Sequence, residues 1–430
     1  MKQSVYISIV VTIQLLVGFA SQILIIRILG IGIETDAYIA AQAIPLVTYA
    51  IISNAMQIVW LPRFSVLVDD PLAGAREHAK AQGQAIILCA PLISVVFISL
   101  SLWMPFILPG FSNEQLSMAA NLCLVLMFAS LFNVLSSVLM VALRATDRFL
   151  VGEIVTLVGS LSSLVATILL LPLWGIEVVV WIALTRAIGV YLAHLMLTKF
   201  PGISIKKGWQ DQQSWRLMRP LLFGSSIYKT SPLVDRFWAS QAPMGGVTML
   251  NLAQIAMAAL ATILERALCM PKMPSLARYV LKRDYAGLRY TYRKAIFLVT
   301  LSVLLIGACM LLLRPVFIDL VSVILQLSNK DAANLWLLCV LLLGYLQVGA
   351  SGTMPVAAFT AMGNTKTPVK VGIYGFLFGL VLKALGFIFF QLPGLVVATS
   401  VYYLLNMFVN CLLLEIEITK KLTEESLRPC

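Results

Sequence analysis

The feature that most constrains this chain is a succession of apolar runs about 20 residues long, the length of helix that crosses a bilayer core. The first, "SVYISIVVTIQLLVGFASQILIIRILGIGI" from Ser4 to Ile33, holds a single charged residue, Arg27. It outruns the core of a secretory signal, about 7–15 residues, and is expected to be a retained transmembrane helix. The same ruler gives about twelve spans along the chain. They fall near 5–30, 37–62, 85–108, 117–143, 151–173, 176–198, 219–242, 247–275, 291–314, 333–361, 369–390 and 394–418. Composition agrees: 60% of the residues are hydrophobic and 12% charged, with mean hydropathy +0.94. An average soluble domain is about half apolar and a quarter charged. The expected fold is therefore an all-α integral membrane protein of about twelve helices.

The net charge of +12 need not signal nucleic acid, and no nucleic-acid partner is expected. Lys and Arg gather in loops facing the cytoplasm. Here they concentrate in alternate loops, such as "RATDR", "KFPGISIKKGWQDQQSWRLMR" and "GNTKTPVK". The intervening loops, such as "PGFSNEQ", "WGIE" and "QLPG", are short and poor in cations. This pattern places both termini in the cytoplasm. A weak internal repeat pairs "AQAIPLVTYAIISNAMQIVWLPRFS" from Ala41 with "AQIAMAALATILERALCMPKMPS" from Ala253, and "TDRFLV" with "NTKTPV". The near-equal offsets point to two six-helix lobes, 1–215 and 216–430, related by an axis along the membrane normal. That is a plan used by alternating-access transporters.

Charged groups inside apolar runs are the candidate functional residues, because each costs roughly 3 kcal/mol at the bilayer centre. "KTSPLVDRFWAS" carries Lys229, Asp235 and Arg236. Lys229 and Arg236, seven apart, would share one helix face, with Asp235 about 100° away. "TILERALCMPK" adds Glu265, Arg266 and Lys272, and Arg27 precedes Glu34 and Asp36. Each group has two readings: a wet cavity lining, or a side chain snorkelling to the interface. Snorkelling is the expectation for Arg186 and Lys383. Gln42, Asn54, Gln57, Asn251 and Gln254 add polarity, and Pro45 and Pro355 are candidate kinks. The seven cysteines stand singly and read as small core residues. Two histidines, His78 and His194, argue against a His-based metal site. Neither a P-loop nor a GxSxG elbow occurs. The expectation is no catalytic residue, no metal and no bound cofactor, with ion coupling or the membrane potential as energy source. What the residues alone reach is a two-lobed transporter with a cationic cavity suited to an anionic substrate.

"GNTKTPVK", Gly363 to Lys370, resembles the Asp/Asn-Thr-Lys-Thr-Pro-Val-Lys loop of the MurJ/MviN lipid II flippases, a family of the MOP exporter superfamily. "TDAYIAAQAIP", "GFASQILIIRILGIG", "LPRFS" and "MPSLARY" resemble its other patterns in order along the chain. The resemblance implies translocation of an undecaprenyl-pyrophosphate-linked glycan from inner to outer leaflet by alternating access in a bacterial cytoplasmic membrane. The partners it implies are that lipid-linked glycan, the phospholipid bilayer and enzymes of cell-envelope glycan synthesis. On this reading Arg27, Lys229, Arg236 and Arg266 bind substrate. Asp36, Asp235 and Glu265 serve coupling or gating.

The departures are specific. Leu15 and Ser21 stand where the family motif has arginines, Tyr49 aligns with its helix-2 arginine, and Gln254-Ile255 aligns with its Asp-Arg pair. The expected spans also stop short of the family's full set, whose last helices form the groove for the lipid tail. "VDRFWAS" is similar to a motif of polysaccharide flippases. Two alternatives follow: an O-antigen or exopolysaccharide repeat-unit flippase, and a cation-coupled antiporter of the MATE type.

Overall fold

The computed structural model describes residues 2–66, 71–199 and 202–426, and among them there is no strand. By contact the chain divides into two compact units, Met1–Thr248 and Met249–Cys430.

Unit 1 contains α1 (Lys2–Leu29), α2 (Ile33–Val66), α3 (Pro71–Ile107), α4 (Asn113–Ala145), α5 (Phe149–Trp174), α6 (Glu177–Thr198), α7 (Ile205–Gln210), α8 (Gln212–Lys229) and α9 (Ser231–Ala239). The first run is thus a helix, as expected. The loop "PGFSNEQ" starts α4 with a capping box: Ser112 Oγ accepts from the Gln115 N–H, and Gln115 Oε1 accepts from the Ser112 N–H at 3.0 Å. The two bonds satisfy orphan donors of the first turn. Helix α4 is the hub, packing along α2, α6 and α3, while α1 lies on α5 and α5 on α6. Trp60, Met56, Met127, Leu139 and Leu143 are fully buried there. Pro45 leaves α2 one continuous helix.

Unit 2 contains α10 (Gly246–Leu264, whose first turn belongs to unit 1), a π-helical turn (Glu265–Cys269), a 3₁₀ turn (Met270–Lys272), α11 (Met273–Leu281), α12 (Tyr285–Leu312), α13 (Arg314–Leu325), α14 (Asn329–Leu341), α15 (Leu343–Ser351), α16 (Thr353–Ala361) and α17 (Lys366–Ser426). Helix α17 is two arms joined at Gln391, which has φ 54° and ψ −142°. The arms run back along one another. Gly375 faces Asn406, Gly379 faces Tyr402, and Gly386 meets the backbone of Gly394 so closely that neither has room for a Cβ. Small residues let membrane helices approach this way. The family-like loop has its own logic: Gly363 takes φ +78°, and Asn364 accepts from the Thr367 N–H at 3.2 Å, capping α17. Asn364 also donates to Glu417 at 2.7 Å.

Among the described residues nine helices are long and apolar enough to cross a membrane, or ten if the bent pair Asn329–Leu341 and Leu343–Ala361 counts as one span. The twelve expected spans are reconciled by two facts. Helix α17 is two spans, and the stretch read as 219–242 is two shorter, more polar helices. That stretch was expected to be continuous; Pro232, in the first turn of α9, breaks it at Thr230. The span read as 333–361 is likewise broken, by 46°. Pro355 lies inside the first turn of α16 rather than at the break itself. The contact boundary falls at Thr248, because α8 and α9 pack on α2.

Candidate functional site

Asp36 stands in the first turn of α2 and is 3% exposed. Its Oδ2 accepts from the Gly245 N–H at 2.7 Å; its Oδ1 accepts from the Thr248 N–H at 2.8 Å and from Thr248 Oγ1 at 2.6 Å. Gly245, at φ +87°, turns the chain so that these donors converge. A carboxylate held by the donors of a helix start is favoured by their partial positive charge. Arg236, buried on α9, lies within electrostatic reach of both Asp235 and Asp36. The structure therefore gathers three of the expected residues, Asp36, Asp235 and Arg236, into one buried cluster.

Lys229 is elsewhere. Its Nζ donates to the Ala50 carbonyl of α2 at 2.5 Å. Ala50 lies fourteen residues beyond Asp36 on the same helix, about 21 Å away at 1.5 Å per residue. With the break at Thr230, Lys229 and Arg236 do not form the single face the sequence spacing implied. Arg27 is exposed in the last turn of α1. In unit 2, Glu265 opens the π-helical turn and accepts from Thr353 Oγ1 at 2.9 Å, with Arg266 half-buried beside it. Such π turns recur at functional sites.

The fullest polar constellation in unit 1 escaped the sequence reading. A cavity of about 230 Å³ is lined by Gln14, Tyr49, Gln57, Asn133, Ser136, Ser137, Arg144, Glu153, Thr156, Arg186 and His194, among others. Helices α1, α2, α4, α5 and α6 each contribute. Gln14 Nε2 donates to the Glu153 carbonyl at 2.7 Å and to Glu153 Oε2 at 3.1 Å. Arg144 donates to Gln57 Oε1 at 3.1 Å and lies over the Phe149 ring. His194 ties three helices together: Nε2 to the Gly152 carbonyl at 3.1 Å and Nδ1 to Ser136 Oγ at 2.7 Å. A carbonyl only accepts, so Nε2 carries a hydrogen. Arg186 does not snorkel; it lines this cavity from within the bundle. Lys383 is not a snorkelling residue either: it is 2% exposed in unit 2, with Nζ 5.8 Å from the Tyr402 ring centroid. Depth along a helix was legible in the sequence, but the neighbours were not.

A second polar network sits where α7 docks. Gly83 and Gly208 let α7 approach α3 so closely that neither has room for a Cβ. Gln84 donates to the Gly208 carbonyl at 3.0 Å. Arg63 donates to Asp211 at 2.7 Å and to Ser214 at 2.6 Å. Glu77 lies 3.9 Å from Arg63 and pairs with Lys80. Burial by itself would raise the Asp211 carboxyl. The hydrogen bonds from Ser214 and the Arg63 guanidinium outweigh it and hold the group below the usual carboxylate range. A cavity of about 770 Å³ adjoins this network.

Buried charges, a polar cavity and helices long enough to cross a bilayer define a multi-pass membrane protein. The chain belongs to the family described as lipid II flippase MurJ, whose sequence profile matches residues 25–424. A Vibrio cholerae serotype O1 protein named "Probable lipid II flippase MurJ" is 29% identical over 239 residues, covering 51% of this chain and 44% of that protein. The alignment thus spans less than half the length of that relative. The fold is similar to that of a lipid II flippase MurJ in an inward closed conformation, with TM-score 0.82, 16% identity, and coverage of 96% of this chain and 87% of that one. It is also similar to an inward-facing multidrug resistance MATE family transporter of the MOP superfamily, with TM-score 0.79, 14% identity, and coverage of 95% and 96%. At these identities the structural likeness speaks for the fold alone.

Proposed function

We propose that this protein moves an undecaprenyl-pyrophosphate-linked glycan, lipid II or a related lipid-linked oligosaccharide, from the inner to the outer leaflet by alternating access. The observation that carries the reading is the family match over residues 25–424. The departures at Leu15, Ser21, Tyr49 and Gln254-Ile255 favour a second reading, in which the cargo is a different lipid-linked oligosaccharide such as an O-antigen repeat unit. Arg27, Lys229, Arg236 and Arg266 are the cations we assign to the pyrophosphate. Asp36, Asp235 and Glu265 we assign to coupling or gating. Arg27 and Lys229 keep exposed surface for a head group, whereas Arg236 would reach one only when its buried cluster opens. We place the protein in a bacterial cytoplasmic membrane with both termini inside, supplied by enzymes of envelope glycan synthesis and driven by an ion gradient or the membrane potential. We also retain the two-lobe duplication, 1–215 and 216–430, as the plan behind the fold.

The test is made in cells depleted of this protein. Lipid-linked glycans are quantified by mass spectrometry, with a probe for their leaflet. A single intermediate trapped on the cytoplasmic side supports the reading and names the cargo. Unchanged intermediates in cells that hold no second flippase overturn it.

A further inference from the structure

Two cavities of unit 1 meet at one guanidinium group. Arg186, on α6, lines the polar cavity of about 230 Å³ described above. It also lines a groove of about 500 Å³ between α5 and α6. The groove is walled mainly by apolar and small residues, among them Gly159, Ser162 and Ala166 of α5 and Ile182, Gly189 and Ala193 of α6. Val190 is shared by both spaces in the same way. The two helices close on each other there: a Cβ on Gly159 would stand 2.5 Å from Val190 Cγ2 and 3.6 Å from Arg186 Cγ.

The charge at this junction is not balanced. Among the described residues no carboxylate oxygen lies within 4.0 Å of Arg186 or of Arg144. The electrostatic neighbours of Arg186 are the tyrosines Tyr38 and Tyr49 of α2. Two guanidinium groups line the polar cavity against one carboxylate, Glu153, so with His194 neutral the lining keeps one positive charge in surplus. Asn133 and Tyr49 add neutral donors to it. Depth matters as much as charge. Arg186 lies within the 22-residue α6, about 14 Å from Glu177 and about 18 Å from Thr198 at 1.5 Å per residue. In a hydrocarbon core about 30 Å thick that is near the middle. A cation without a counter-charge is costly at that depth, and the phosphates of resident bilayer lipids lie at the two surfaces. The anion that reaches Arg186 is therefore one carried through the membrane, joined to an apolar chain that the adjoining groove can hold.

We propose that this junction binds an isoprenyl pyrophosphate, with the pyrophosphate in the polar cavity between Arg186 and Arg144 and the first isoprene units in the α5–α6 groove. Guanidinium groups pair with phosphate oxygens through charge-assisted hydrogen bonds. The groove falls within the size range of ligand pockets, about 300–1,000 Å³. The smaller polar cavity takes the charged junction of such a molecule rather than its glycan. The proposal deepens the transport reading and rests on it for the choice of an isoprenyl carrier. The cations assigned above, Arg27, Lys229, Arg236 and Arg266, lie outside this lining, so the junction is a further position for the same charged group.

The test uses the full-length protein in nanodiscs of zwitterionic lipid and equilibrium binding of radiolabelled farnesyl pyrophosphate. Binding is expected to be saturable, displaced by unlabelled geranylgeranyl pyrophosphate and not by farnesol or phosphatidylglycerol. Arg186→Gln should weaken it at least about tenfold, and Arg186→Lys should keep more of the affinity. Ser162→Phe fills the groove from an exposed position of α5; it should weaken binding too, and it keeps the test open if Arg186→Gln fails to fold. Undiminished affinity in Ser162→Phe or in folded Arg186→Gln overturns the proposal, as does the absence of saturable binding. Displacement by phosphatidylglycerol also overturns it, by making the groove a seat for ordinary bilayer lipid. Trapped glycans in depleted cells test the transport reading separately: that reading survives a loss of this site, and a bound isoprenyl pyrophosphate survives unchanged glycans.

Discussion

Asp36 shows how a charged residue in an apolar chain acquires two meanings. The sequence marks it as a coupling candidate. The structure surrounds its carboxylate with three donors from Gly245 and Thr248, so removing it orphans all three. Asp36→Ala is expected to cost about 2–3 kcal/mol, read as a lower unfolding temperature of the purified protein. Asp36→Asn, which keeps one acceptor, should lose less; equal stability of all three proteins would contradict the capping role. Lys383 is likewise engaged: its ammonium lies 5.8 Å from the Tyr402 ring centroid, and Lys383→Met, which removes that contact, is expected to lower the unfolding temperature by the same measurement. Arg186 and Lys383 were misjudged from sequence because hydropathy reports how far a residue lies along a span, not which side of the helix meets protein. Gln14 and Glu153 were invisible for a related reason. They are 139 positions apart, and neither has a local pattern that announces the other.

At the scale of elements, prolines and glycines carried most of the legible information. Pro232 accounts for the break between α8 and α9, although the sequence reading kept that stretch whole. The glycines of α17 are packing devices: Gly386 and Gly394 are expected to tolerate no side chain. Gly386→Val or Gly394→Val should force the arms apart at a cost of about 1–3 kcal/mol, measurable by thermal unfolding. Helix α7 was read only as part of a basic loop, since six residues are too few for periodicity to register; what fixes it is contact with α3 through Gly83 and Gly208. Its anchor is pH-dependent. The folded Asp211 carboxyl titrates below its unfolded value of about 3.9, so its contribution is complete above that value and lost as pH falls through the folded one. Hydrogen-exchange protection of residues 205–215, corrected for the intrinsic pH dependence of amide exchange, should therefore be constant at neutral pH and fall in acid, and Asp211→Asn should lower the protection at neutral pH and abolish the acid dependence.

For the whole molecule, the succession of apolar runs was enough to specify an all-helical membrane protein, because length and hydropathy are linear properties. The motifs in order along the chain carried the family. The positive loops carry orientation: a reporter fused to the C-terminus is expected to be active only in the cytoplasm, and periplasmic activity would invert the assignment. The polar cavity was not legible, because it is assembled from five helices and exists only once they pack. The reversal at Gln391 has a consequence for how the chain is made. One non-helical residue separates two apolar arms, leaving no hydrophilic segment for the translocon to thread across the bilayer. The two arms of α17, joined by a turn this short, are therefore expected to enter the bilayer together as a hairpin rather than one after the other.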